Sequence, residues 1–317
     1  MGNLIFMDRH VVSAGVWTLV FAALGSGCSA MANGEGANPP SLQPAAGTLE
    51  AHELPAETGP WWESKDPCPE GAALKGGEPP QAEAIWCERG DGELHGPRTS
   101  FHPNGQRAKE VTFRSGKEEG RLIAWHDNGQ VAEEAIYRQG QLDGRRTTYY
   151  RNGQKESEGT YRGGAESGRC LRFDEEGGQK VYEAEFREGK PHGVTVRYYP
   201  SGKKQEEIEY RSGIRHGNFA SFHENGQKHY EGKFARDQKV GMWRSYFEDG
   251  KKREEVEFVG GVQEGTYTRW HAGGAKEIVG QFSSGKKHGT FSTFDEQGNL
   301  TKTEEYKKGR LIRTRKH

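Results

Sequence analysis

Apolar residues are scarce in this 317-residue chain: they make up 32% of it, and mean hydropathy is −0.98. That scarcity excludes a thick globular core and points to a fold that spreads its few apolar side chains along a thin layer. Long hydrophobic runs are missing too, apart from Val11 to Leu24, which has the length of a signal peptide rather than of a membrane span. There are only 4 cysteines, and beside Cys68 and Cys87 no second pair stands at ligand spacing, which argues against a metal site. Neither charge dominates: 45 Lys and Arg meet 46 Asp and Glu, so the net field that nucleic-acid binding depends on is lacking. Phosphate-cradling glycine loops, nucleophile elbows and paired metal motifs are all absent. These absences point away from an enzyme and predict no cofactor, no metal, no nucleic acid and no small-molecule substrate.

What the chain has instead is a repeat. A leading glycine recurs at Gly96, Gly120, Gly144, Gly168, Gly193, Gly217, Gly241, Gly265 and Gly289, every 24 residues except for one 25-residue step from Gly168 to Gly193. Five positions later stands an aromatic: Phe101, Trp125, Tyr149, Phe173, Tyr198, Phe222, Tyr246, Trp270 and Phe294. A polar residue and glycine follow, as in Asn104-Gly105, Asn128-Gly129 and Asn225-Gly226. A second aromatic column closes the unit with Phe113, Tyr137, Tyr161, Phe186, Tyr210, Phe234, Phe258, Phe282 and Tyr306.

Each unit reads as a β-hairpin, two runs of β-branched and aromatic residues around an Asn-Gly turn. Asn-Gly alone suggests a two-residue loop. Parity favours three residues, Pro103-Asn104-Gly105, because that loop places Thr99, Phe101, Val111 and Phe113 on one face. A lone hairpin is marginal, so the units must stack edge to edge. Nine of them predict an all-β, elongated single-layer solenoid of about eighteen strands, on the order of 85 Å long. Both aromatic columns are expected to form ladders on one face, with Glu, Lys, Arg and Gln solvated on the other.

The leading Gly, aromatic, Asn-Gly-Gln/Lys, Glu-x-x-aromatic and x-x-Gly-Lys pattern resembles the bacterial variant of the MORN repeat, the group often labelled YwqK-type antitoxin. The resemblance covers roughly residues 92 to 311 and departs at Asp237, where the late glycine is lost, and at Asp174 to Gly178, where a residue is inserted. Irregular loops are expected at both places.

In chain order, residues 1–28 read as an export signal; the small residues Gly25-Ser26-Gly27 before Cys28 resemble a lipoprotein signal with Cys28 as the lipidated residue. An ordinary cleaved signal is the alternative. Residues 29–60, rich in Ala, Gly, Pro, Ser and Glu, read as a disordered tether. Residues 61–95 read as a cap on the first hairpin edge, with Cys68 and Cys87 candidates for a disulfide worth about 3 kcal/mol. The MORN-variant repeats then occupy 96–311, and 312–317 form a basic tail. Cys170 fills a repeat position held elsewhere by Leu122, Phe219 and Trp243, so it reads as packed. Histidines before the leading glycines (His95, His192, His216, His288) and after the first aromatics (His102, His126, His223, His271) read as turn and surface residues rather than metal ligands.

Three functions compete. The first is a non-enzymatic protein-binding or scaffold module of the bacterial cell envelope, exported and held at the membrane by a lipid anchor. The second, which the resemblance implies, is an antitoxin binding a toxin protein. The third is glycan or lipid binding through aromatic rows; with the two columns needed to hold the sheet, it falls to Tyr150, Tyr199, Tyr230 and Phe247.

Overall fold

The structure is a computed structural model, and it describes residues 59–317. The export signal, Cys28 and most of the tether lie outside the described residues. From Ala72 to Lys316 the chain forms 23 antiparallel strands of one open sheet, and the only other regular element described is a 3-10 turn at Trp61–Glu63. Successive strands pair in sequence order, so the repeats stack as an elongated row of hairpins.

The first repeat shows how the sequence makes this unit. Leu94–Phe101 and Arg107–Arg114 are its arms. His102 N–H donates to Gln106 O at 2.7 Å and Gly105 N–H to His102 O at 2.9 Å, which closes the three-residue loop that parity favoured. Gly105 takes φ +86°, the left-handed conformation such a loop needs. The loop of the fourth repeat closes as Asp174 N–H to Gln179 O and so absorbs the inserted residue. Each repeat joins the next through a two-residue turn with both φ positive, as at Ser115 (51°) and Gly116 (71°), the type I′ geometry that matches strand twist. Asp237 does not make an irregular loop: Arg236 and Asp237 keep this turn at φ 51° and 65°, because aspartate tolerates the left-handed region.

The expected distribution over the two faces is wrong, for an identifiable reason. Next to the loop Phe101 pairs with Arg107, but one step along Ser100 pairs with Lys109, so Ala108 is an extra residue and the register slips by one. A one-residue slip exchanges faces. Arg98 then lies opposite Val111, whereas Thr99 lies opposite Glu110. The same shift recurs beside the first aromatic of all nine repeats. The first aromatic column and the second therefore occupy opposite faces.

One, the core face, carries the second column and a central row that runs across the strands. Val111, Leu122 and Ala135 are successive cross-strand partners in this row, each at most 3% exposed. Farther along, Cys170 at 2% packs with Ala184 and Phe186, and Trp243 packs with Phe234 and Val256. The leading glycines sit opposite the second-column rings, as Gly120 opposite Tyr137 and Gly241 opposite Phe258. Their φ values run from +65° at Gly241 to +143° at Gly144, a range in which a side chain is strained.

The polar face carries the first column and a second cross-strand row: Thr99, Glu110, Ile123, Glu134, Thr147, Glu158, Leu171 and Glu183, continuing through Glu207, Glu231 and Glu255. The extra residue places positions i and i+3 of the second arm on one side, which a regular strand cannot do. Lys180 accordingly reaches Glu183 at 2.6 Å, Lys228 reaches Glu231 at 2.7 Å and Lys252 reaches Glu255 at 2.9 Å. Two of these cations also lie over first-column rings of the following repeat: Lys180 is 4.6 Å from the Tyr198 centroid and Lys252 5.4 Å from that of Trp270. Not every glutamate is on this face. Glu133, Glu206 and Glu254 pair across to Ala124, Ser221 and Ser245 on the core face, although their neighbours Glu134, Glu207 and Glu255 face the other way.

Cys68 and Cys87 form a disulfide with a Cα separation of 5.5 Å. Ala84–Arg89 pairs with the first hairpin, and the Trp61 indole N–H donates to Thr99 Oγ1 at 2.9 Å. At the other end Arg310–Lys316 is a strand paired with Leu300–Lys307, so residues 312–317 are mostly sheet rather than a tail.

Candidate binding groove on the core face

One column decides the relief of the core face. Two residues after each leading glycine stand Arg98, Leu122, Arg146, Cys170, Thr195, Phe219, Trp243, Tyr267 and Phe291. In the last four repeats these are rings, each edge-on to the second-column ring of its own hairpin. Phe219 and Phe234 lie 5.7 Å apart at 86°, Tyr267 and Phe282 5.5 Å at 84°, Phe291 and Tyr306 5.4 Å at 75°. Such pairs contribute about 0.5–1.5 kcal/mol beyond their burial. Room for them comes from the facing arm, where Gly232 lies against the Trp243 ring and Gly280 against that of Phe291.

Repeats four and five carry Cys170 and Thr195 in that column; Cys170 is packed with Phe186, and the face is hollow beside Thr195. A 660 Å³ depression is lined by Arg172, Tyr182, Thr195, Arg197, Glu206 and Tyr210 among others. It runs into a second, of 800 Å³, lined by Arg215, Phe219, Tyr230, Phe234, Lys239 and Trp243; Arg197 and Glu206 border both. The two make one groove across the fourth to seventh repeats.

Its charges are held away from water. Burial pushes the Glu206 carboxyl up, while Arg197 and Arg215 pull it the other way; Arg197 Nε is 4.0 Å from its Oε1. Burial pushes the Lys239 ammonium down, and the Arg215 charge adds to that effect. Lys239 lies 4.2 Å over the Trp243 ring and 5.2 Å from that of Phe258. Arg215 lies 4.4 Å over Phe234 and bonds Asp237 at 2.9 Å. The Tyr230 ring lies tilted against His229 with centroids 4.2 Å apart, and burial lowers the His229 pKa. Partly desolvated cations and rings in one concave surface can take an anionic or aromatic group from a partner.

Two of the four candidate surface aromatics already have structural partners. Tyr150 and Tyr199 donate their hydroxyls to Phe173 O at 2.9 Å and Phe222 O at 2.8 Å, each bond reaching the next repeat. Tyr230 lines the groove, and the Arg253 guanidinium stands 6.0 Å from the Phe247 ring. The histidines at the same repeat position as Tyr150 are struts of the same kind: His102 bonds Trp125 O at 2.8 Å, His126 bonds Tyr149 O at 2.8 Å and His271 bonds Phe294 O at 3.0 Å. Among the described residues no three His, Cys, Asp or Glu gather as metal ligands would. Sequence reasoning missed Thr195, Arg197, Glu206 and Lys239; the change from small to ring-bearing residues in one column was the signal that marks them.

Comparison with known proteins bears on the repeat. The family profile described as MORN repeat variant matches residues 94–115, 118–139, 142–162, 191–212, 239–259 and 287–308. No curated protein matches the chain. Among solved structures, it is similar to a chain of the TcdB2-TccC3-Cdc42 complex at 10% identity and a TM-score of 0.18, covering 74% of this chain and 14% of that one. It is also similar to BamB from Moraxella catarrhalis at 8% identity and a TM-score of 0.15, covering 77% of this chain and 87% of that one.

Proposed function

The chain is a MORN-repeat protein of the variant type, and from that premise we propose that it is a non-enzymatic scaffold of the cell envelope that binds a protein partner through its core-face groove. The observation that carries this reading is the groove itself: rings and half-buried cations, Arg197, Arg215 and Lys239, on one open surface spanning four successive repeats. Stacked repeats present extended surfaces, and aromatic and arginine side chains supply most of the energy in protein interfaces. The sequence pattern of residues 1–28, an apolar run ending in small residues and Cys28, supports export with a lipid anchor and so a membrane-side position for that surface.

In-cell crosslinking of the tagged full-length chain, then affinity purification from separated membrane and cytosolic fractions, tests it. The expected result is one near-stoichiometric envelope protein from membranes, lost when Arg197→Glu and Lys239→Glu are combined. Recovery from cytosol with a small toxic protein replaces this reading with that of an antitoxin. If the double variant captures the same protein as the wild type, the groove is not the interface.

A further inference from the structure

We infer that the hollow over Thr195 is a socket for a single aromatic side chain, presented on an acidic segment of the partner. The inference rests on the protein-binding reading and specifies what the groove recognises.

The ring-bearing column of the core face begins only at the sixth repeat. Phe234, Phe282 and Tyr306 each have an edge-on ring from the first arm of their own hairpin, at 5.7, 5.5 and 5.4 Å. Tyr210 is their equivalent in the fifth repeat, and the residue in the partner column of its hairpin is Thr195, which has no ring. The 660 Å³ hollow opens beside Thr195, with Tyr182 and Tyr210 among its walls and Thr195 and Ile208 on the same central row. A ring entering from outside completes the edge-on pair that later repeats make internally.

The lining sets the charge of what carries that ring. Arg172, Lys190 and Arg197 border the hollow, against the single carboxylate Glu206. Burial already raises the Glu206 pKa, so a second carboxylate arriving beside Glu206 alone is disfavoured. Beside Arg172 or Lys190 it is favoured. A ring flanked by acidic residues meets both requirements, whereas a basic segment meets three like charges.

Fluorescence anisotropy of labelled Asp-Glu-Trp-Glu-Asp with the full-length chain reads the socket directly, alongside Asp-Glu-Ala-Glu-Asp and Lys-Lys-Trp-Lys-Lys. Thr195→Phe fills the hollow with the residue that the sixth repeat carries at that position, and Arg172→Glu with Arg197→Glu inverts its border. The tryptophan-bearing acidic peptide is expected to bind, and either change to weaken it by about tenfold or more. The other two peptides are expected to bind at least about tenfold more weakly than the first. Equal binding by the ring-less peptide, or to Thr195→Phe, overturns the socket, as does no binding of the first peptide to the wild type. Should Thr195→Phe fail to fold, the charge-reversed chain and the peptide series decide alone. The two readings fail separately: a Thr195→Phe chain that still captures its envelope protein removes only the socket, and a wild-type chain that captures nothing removes the scaffold reading too.

Discussion

Tyr246 shows how one side chain is set by two features at once. It belongs to the first column, half-buried on the polar face, and its hydroxyl donates to Glu231 at 2.5 Å. Burial first, then that bond and the Glu231 charge, push its pKa up to about 12 from the model-compound 10.0. Partial burial also opposes ionisation of Glu231, but hydrogen bonds from Lys228 and Tyr246 outweigh it and hold the carboxyl below its usual range. For the phenol the sign follows from proton binding. Between about pH 10 and about 12 the unfolded chain has lost a proton that the folded chain keeps, so Tyr246 contributes a fall in stability as pH rises through that window. Below pH 10 this contribution is flat. Ultraviolet titration of wild type against Tyr246→Phe is expected to show a difference midpoint near 12, together with a shallower alkaline loss of stability in the variant. A difference midpoint near 10 means that Tyr246 is neither buried nor bonded to Glu231.

Within the hairpin the same amino acid serves two unrelated purposes. Gly120 has φ +84° and open space where a Cβ would stand, so only backbone conformation requires it. Gly232 has no such φ, and a Cβ there would run into the Trp243 ring. Ala at Gly120 is expected to cost about 1 kcal/mol through left-handed strain. Ala at Gly232 costs more, about 2–3 kcal/mol, because the indole must leave its seat in a packed cluster. Urea midpoints followed by tryptophan fluorescence separate the two: Gly232→Ala changes the emission of the folded state, whereas Gly120→Ala shifts only the midpoint. Equal costs with unchanged emission contradict the packing account. The leading glycines could be read in the repeat. Gly232 could not, because it breaks no pattern and its purpose appears only when Trp243 lies across from it.

Across the whole molecule, stability passes from neighbour to neighbour. Among the described residues the clusters of buried side chains around Leu122, Phe186 and Trp243 are separate rather than one core. Interfaces between repeats add struts such as Asn128 Nδ2 to Arg151 O at 2.8 Å and His126 to Tyr149 O at 2.8 Å. In such a one-dimensional stack a lesion at one end stays there. Cys68→Ser with Cys87→Ser, which opens a bridge of sequence separation 19, is expected to remove about 3 kcal/mol from the N-terminal end. Hydrogen exchange is then expected to accelerate in Ala84–Arg89 and Leu94–Phe101 and to stay unchanged in Lys286–Phe294. Uniform acceleration through all nine repeats means that the sheet unfolds as one unit.

The sequence by itself determined the repeat, its period, the three-residue loop and the all-β stack, because each depends on local chemistry: left-handed glycines, alternating side chains, turn residues at constant spacing. Only the tertiary structure decided which face each column occupies. One extra residue per hairpin, such as Ala108, inverts the alternation, and nothing in the composition of the arm announces it. The groove follows from that decision. Thr195 is an ordinary strand residue until the register places it beside Tyr210, in a column where later repeats carry rings, with Arg172 and Arg197 at the border.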